Sequence, residues 1–180
     1  MPVYPYRGVM PSIDPTAFVH PDAVVIGDVH IGAGSSLWPG VVIRGDVNRV
    51  RIGARTNIQD GSVLHVTRPT ADHPEGIPLL IGDEVTIGHQ VTLHACHLHD
   101  RSMVAIGAIV LDGAVVEEQA MVGAGSLVTP GKRVAAGELW MGSPARPVRV
   151  LDERARLAMA ATNANYVRLA QEYLHPVPGE

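Results

Sequence analysis

Cysteine, aromatic rings, positive charge and long apolar runs are all scarce in this sequence. One cysteine, Cys96, stands in 180 residues, which excludes an intrachain disulfide and fits a reducing compartment. Aromatic residues make up 4%, so the core must be built from Val, Ile, Leu and Ala. No stretch approaches the roughly 20 apolar residues of a membrane span. The N-terminal MPVYPYRGVMPSIDPTAF has no apolar run behind a basic patch, so no signal peptide is expected. Fourteen Lys and Arg against 18 Asp and Glu give a net charge of -4, which offers no footprint for nucleic acid. The expectation is a soluble, cytoplasmic protein with no membrane or nucleic-acid partner.

What the chain has instead is a period. An aliphatic residue recurs every six positions at Val19, Val25, Ile31, Leu37 and Ile43. Three extra residues intervene, and the pattern resumes at Ile52, Ile58 and Leu64. A polar loop, RPTADHPEGIP, separates these from Ile81, Ile87 and Leu93. After one step of five, Leu98, Val104, Val110, Val116, Val122, Val128 and Val134 follow. Position five of each unit is small or β-branched, as at Ser35, Thr56, Ser62, Ala108 and Ser126. A hexapeptide period predicts a parallel β-helix, an all-β solenoid in which three units make one triangular coil of about eighteen residues. Coils then stack at the sheet spacing of roughly 4.8 Å. A β-sandwich would not keep period six over so many units. At this length a single domain is expected. Residues 1–18 form an N-terminal cap segment, 19–142 the β-helix, and 143–180 a proline-rich linker and a C-terminal α-helix. Asp152 is the expected helix N-cap. Leu157, Ala161, Ala164, Leu169 and Tyr173 mark its apolar face, and His175-Pro176 its end.

The repeat frame sorts the polar residues. Arg44, His65 and His94 all occupy position two, one behind another if both insertions bulge at corners. Asp60 and His89 occupy position three on the preceding face. His65 and His94 are thus neighbours one coil apart, whereas His89 lies around a corner. Zinc binds imidazole nitrogen at roughly 2.0–2.1 Å, so a shared ion needs His65 and His94 of one prism and His89 of another. The same head-to-tail contact sets the Arg44 column against the Asp60 column, and a triangular prism makes a ring of three natural. Each of these residues could instead be an ordinary surface group, as expected for His97 and His99. Cys96 is expected to be a packed thiol.

At RGDVNRVRIGARTNIQDGSVLHV, IGDEVTIGHQVTLHAC and MGSPARPVR the chain resembles the compact bacterial branch of the gamma-class carbonic anhydrase family. The resemblance implies a homotrimer of left-handed β-helices with a metal at each interface. It assigns His65 and His94 as the ligands from one chain and His89 as the ligand from its neighbour. Zinc is the expected metal, with Fe2+ or Co2+ compatible. Asn57 and Gln59 correspond to the active-site floor, beside the metal-bound water and the bicarbonate. Arg44, Asp46 and Asp60 correspond to the interface network. The implied activity is hydration of carbon dioxide to bicarbonate by a metal-held hydroxide. Two departures stand out: Val47 and Arg68 replace glutamates that carry protons in the family's archetype. His73, in the loop directly after His65, is a candidate relay because imidazole titrates near 6.5. Asp72 and Glu75 share that loop, which could equally be plain solvated chain. Tyr166, in NANYV, is a candidate for the pocket wall. The rival expectations are a coenzyme A-linked hexapeptide enzyme, either thioester hydrolase or acyltransferase, and a scaffold trimer that keeps the metal for structure.

Overall fold

The structure, a computed structural model, describes residues 2–175. The six-residue period becomes three ladders of inward side chains. Along one face Val19, Leu37, Ile58, Ile87, Val104 and Val122 pair in parallel register. Along the second run Val25, Ile43, Leu64, Leu93, Val110 and Val128. The third holds Ile13, Ile31, Ile52, Ile81, Leu98, Val116 and Val134. These residues are buried, except Val19 and Ile13, which are half-buried at the open end. Burial of each aliphatic side chain contributes about 1.5–3 kcal/mol relative to exposure. Stacked on one another, they make the core one continuous column.

Corners are made by position four, where the backbone turns left-handed. Glycine occupies it at Gly34, Gly107 and Gly131, but Arg55, Glu84, Arg101 and Gln119 also take positive φ there. Arg55 and Glu84 pair across the stack, with Arg55 Nη2 2.7 Å from Glu84 Oε1. At position five the buried hydroxyls of Ser35, Thr56 and Ser62 tie one coil to the next, whereas Ser102 Oγ makes no hydrogen bond among the described residues. Ser35 Oγ donates to Gly53 O and accepts from Thr56 N, at 2.7 and 2.9 Å. Thr56 Oγ1 bridges Gly82 O and Val85 N in the same way, at 2.8 and 3.0 Å. Backbone groups that a corner would orphan are thereby satisfied.

Three features differ from the sequence reading. The stack starts before Val19: Val3 pairs with Val25 and Ser12 with His30, so part of the N-terminal cap segment supplies rungs. At the other end Glu138–Gly142 folds back on Ala145–Val150 as an antiparallel hairpin. Asp152 caps helix α1 (Glu153–Leu174) as expected, accepting from Ala155 N at 2.8 Å. Pro176 lies outside the described residues. The packed helix face is the expected one only in its second half, where Leu169 and Tyr173 meet the prism. Leu157 is 63% exposed, Ala161 and Ala164 are exposed, and Met159, Asn163 and Ala170 are buried. Asn163 Nδ2 donates to Arg55 O at 3.0 Å, which satisfies a corner carbonyl and holds that side of α1 on the prism. Tyr166 and Tyr173 stack edge-on against Trp38, and Tyr173 also meets Phe18. Helix α1 therefore covers the first face and leaves the other two open.

Candidate metal centre

The second face carries the histidine pair. The register puts His65 of Val63–His65 beside His94 of Thr92–His94. Arg44 follows Ile43, the rung beside Leu64, so the position-two column forms as the sequence predicted. Both insertions leave the prism at the corner just beyond this pair. In Val42–Ile52, Gly45 pairs with Gly27 and Val50 with Val29, so the extra residues bulge around Asp46. The longer loop closes at Thr67 and Ile77, which exchange backbone hydrogen bonds at 3.0 Å. Asn48 joins the two insertions, donating to Thr67 O and to Glu75 O at 3.2 and 2.9 Å.

The carboxylates at this corner fix the two rings. His65 Nε2 lies 2.9 Å from Asp46 Oδ1, and His94 Nδ1 lies 2.7 Å from Asp112 Oδ1. An ionised carboxylate accepts and cannot donate, so both of these nitrogens carry the proton. In neutral rings the remaining lone pairs sit on His65 Nδ1 and His94 Nε2, which face each other at 3.2 Å. Two acceptors at that distance need a positive charge between them, a proton or a metal ion. Two nitrogens bound tetrahedrally to zinc at roughly 2.0–2.1 Å would stand about 3.3–3.4 Å apart. A metal-ligating imidazole almost always donates its other N–H to a carboxylate, a backbone carbonyl or water. The pair fits a metal on spacing and on orientation.

Burial pushes the carboxyl of Asp46 up, but the hydrogen bonds from His65 and Arg44 outweigh it and hold the group below the usual range. Asp112 behaves alike: burial raises it, and the bonds from Thr67 and His94 bring it below normal. Asp112 and Thr67 were missed by the sequence reading. Asp112-Gly113 looks like an ordinary turn, and its signal is positional alone: the turn lies one coil on from His94.

His89 has the same build at the other edge of the face. Its Nδ1 lies 2.9 Å from Asp60 Oδ2, which leaves Nε2 as the free acceptor, and its side chain is 41% exposed. Among the described residues no three His, Cys, Asp or Glu side chains of one chain form a metal-holding group. The sequence set the Arg44 column against the Asp60 column across subunits. Within the chain each already has a partner, Arg44 on Asp46 and Asp60 on His89.

A hexapeptide family model, bacterial transferase hexapeptide (six repeats), matches residues 10–45. Gamma carbonic anhydrase 1 of Arabidopsis thaliana mitochondria is 48% identical over 163 residues, 91% of this chain. A carbonic anhydrase of Geobacillus kaustophilus is 43% identical over 171 residues, 95% of this chain and 90% of that relative. This chain belongs to the gamma carbonic anhydrase family. It spans 59% of the length of that plant relative. Protein YrdA of Escherichia coli is 48% identical over 170 residues, 94% of this chain and 92% of YrdA. A solved hexapeptide transferase family protein of Anaplasma phagocytophilum superposes with a TM-score of 0.89 at 45% identity, over 96% of this chain and 98% of that one. The fold of the gamma carbonic anhydrases, a left-handed parallel β-helix with a C-terminal helix, is thus the fold of this chain.

The remaining residues that the gamma carbonic anhydrase resemblance singled out divide between the two edges. Asn57 and Gln59 are buried under α1, toward His89, where Gln59 Nε2 donates to Asn57 Oδ1 at 3.0 Å and Asn57 Nδ2 to Thr86 Oγ1 at 3.0 Å. Tyr166 lies on the same side. Its hydroxyl is pushed up by burial and then by the negative charge of Asp60. His73 is exposed in the loop, held through its backbone: His73 O accepts from Thr70 N and Gly76 N at 2.9 and 2.8 Å. Cys96 is a buried thiol whose pKa burial pushes up, so it is a packing residue as expected. His97 and His99 stack on each other on the third face, with ring centroids 4.1 Å apart.

Proposed function

We propose that this chain is a metal-dependent carbonic anhydrase that hydrates carbon dioxide to bicarbonate at the interfaces of a homotrimer. The observation that carries the metal is the His65–His94 pair, with two carboxylate-oriented imidazoles presenting lone pairs 3.2 Å apart. The pair is a site short of a ligand, and His89, oriented by Asp60, is a ligand short of a site. Joining them across subunits completes three neutral imidazoles. Zinc is the metal we expect, with Fe2+ or Co2+ chemically compatible. Bound there, the metal would supply the Lewis acidity that brings the pKa of a coordinated water from 15.7 toward about 7.

The prism faces support the assembly. One face is covered by α1. The third mixes charge with apolar side chains along its outward column, His30, Arg51, Leu80, His97, Val115 and Arg133. The histidine face instead turns Val24, Val42, Val63, Thr92, Ile109 and Leu127 outward, a column without a charged residue, with Val63 43% and Ile109 38% exposed. An apolar stripe flanked by the two half-sites is the surface that a second copy would cover. The partner then brings Gln59, Asn57 and Tyr166 along with His89. The Gln59 amide would orient the attacking oxygen, Asn57 holds Gln59 in place, and Tyr166 would narrow the pocket. The solved relative described as a hexapeptide transferase keeps a coenzyme A-linked reading in view, but acyl transfer gives no use to the His65–His94 pair.

Stopped-flow carbon dioxide hydration, with metal analysis of the same sample, tests the proposal. Close to one divalent ion per chain and hydration above the buffer rate are expected. Absence of hydration at high buffer concentration in metal-loaded protein would exclude the carbonic anhydrase reading. The proton leaves by His73 in this account, because Val47 and Arg68 hold no titratable carboxyl. His73→Ala is expected to slow hydration at least tenfold in weak buffer, within the about 10²–10⁴-fold worth of a general acid–base group. Metal content should stay unchanged and added imidazole should restore the rate. Unchanged turnover in weak buffer removes His73 from the path.

A further inference from the structure

We infer that Asp112 and Thr67 position His94 for the metal and couple that ligand to the seating of the loop 68–78. The inference rests on the metal reading above. Asp112 is the turn residue after Ile109–Val110, whose register beside Thr92 and Leu93 brings it next to His94 from the following coil. Its backbone is held on both sides: Gly113 N donates to Ala95 O at 2.8 Å, and Gly131 N to Asp112 O at 2.9 Å. The carboxylate divides its two oxygens. Oδ1 accepts from His94 Nδ1 at 2.7 Å, and Oδ2 accepts from the Thr67 hydroxyl. Thr67 is the base of the loop, paired through its backbone to Ile77 and through its carbonyl to Asn48. A chain of bonds thus runs from the loop through Thr67 and Asp112 to His94.

His65 follows the same logic on the other insertion. Its orienting Asp46 lies within the three-residue bulge and is held by Arg44. Asn48 of that bulge bonds the loop at Glu75 O. The two segments that break the hexapeptide period are therefore tied to the carboxylates that aim the two ligands. Without Asp112 the imidazole of His94 can rotate about its side-chain bonds or take the other tautomer, and its Nε2 no longer faces His65 Nδ1. Coupling of this kind is reciprocal. If seating the loop aims His94, then a metal on His94 seats the loop.

Three variants test this: Asp112→Asn, Thr67→Val and Thr67→Ser. Zinc affinity is measured by chelator competition, ligand geometry by the visible absorption of cobalt(II)-loaded protein, and loop seating by amide exchange at Ile77 with and without zinc. Loss of an outer carboxylate typically costs 10–100-fold in metal affinity. A loss of about that size is expected for Asp112→Asn, with an altered cobalt spectrum. Thr67→Val should lose less affinity but also lose the zinc-induced protection at Ile77, since its backbone pairing is intact and the hydroxyl alone is gone. Thr67→Ser restores the hydroxyl and should match wild type. A purely structural role would lower the melting temperature of metal-free protein without moving the cobalt spectrum. Wild-type affinity and spectrum in both Asp112→Asn and Thr67→Val overturn the inference while leaving the metal site standing. A wild type that holds no metal removes the metal reading, and this inference with it.

Discussion

His65→Ala, His89→Ala and His94→Ala should each strip the protein of its metal and of carbon dioxide hydration, although each leaves the prism intact. Zinc sites with four ligands are worth roughly 10–16 kcal/mol, or about 2.5–4 kcal/mol per ligand. Loss of one imidazole therefore lowers affinity on the order of 10²–10³-fold. The fold should survive, because all three side chains point away from the core. His65 and His94 follow the buried rungs Leu64 and Leu93, and His89 follows Ile87 at a corner. His89→Ala is the most informative of the three. It touches neither His65 nor Asp46 nor Asp112, so a metal held within one chain would be indifferent to it. Metal analysis and far-ultraviolet circular dichroism on the same samples check both halves of the expectation. Three variants that keep full metal would place the ion elsewhere.

Ile109→Glu should convert the proposed trimer to monomers. Ile109 stands beside Thr92 in register, in the middle of the stripe that runs from Val63 to Leu127. Covered by a partner, the new carboxylate has no cation facing it from its own column, where its neighbours are Thr92 and Leu127. An unpaired ion taken out of water costs several kcal/mol, and a ring of three contains it three times. In the monomer the same side chain is solvated and costs little, so the ladder of Val110 and Leu93 beneath it is undisturbed. Light scattering coupled to size exclusion gives the mass. Metal should be lost together with the trimer, because His89 then has no neighbour to complete. A trimer that persists with Glu at this position would mean that another face makes the contact.

The ladders were legible in the sequence because one aliphatic residue in six has a single purpose, to fill the prism. From Val25 to Val134 every expected inward position is buried. The columns of Arg44, His65 and His94, and of Asp60 and His89, followed from the same frame. What escaped were residues whose partner is not set by the period. Asp112 reads as half of an Asp-Gly turn until the next coil lays it against His94. Asn163 lies off the apolar stripe that the sequence marks, yet it is buried and donates to Arg55 O. Leu157 lies on that stripe and is exposed. The first rungs, at Val3 and Ile13, were hidden by the prolines around them. A hydrophobic count finds the interior of a solenoid. It does not find hydrogen bonds between residues that lie coils apart.

The claim at the centre of the account is that each metal site is shared, with His65 and His94 from one subunit and His89 from the next. Refolding an equal mixture of His89→Ala and His94→Ala chains together tests it most directly. In a cyclic trimer every mixed assembly has one interface where an intact pair meets an intact His89. With random mixing, about one quarter of all sites should be whole. Each variant refolded alone should hold almost no metal and hydrate no carbon dioxide. The account predicts that the mixture regains metal and hydration to about one quarter of the wild-type level; a mixture as inactive and metal-free as its two components would contradict it.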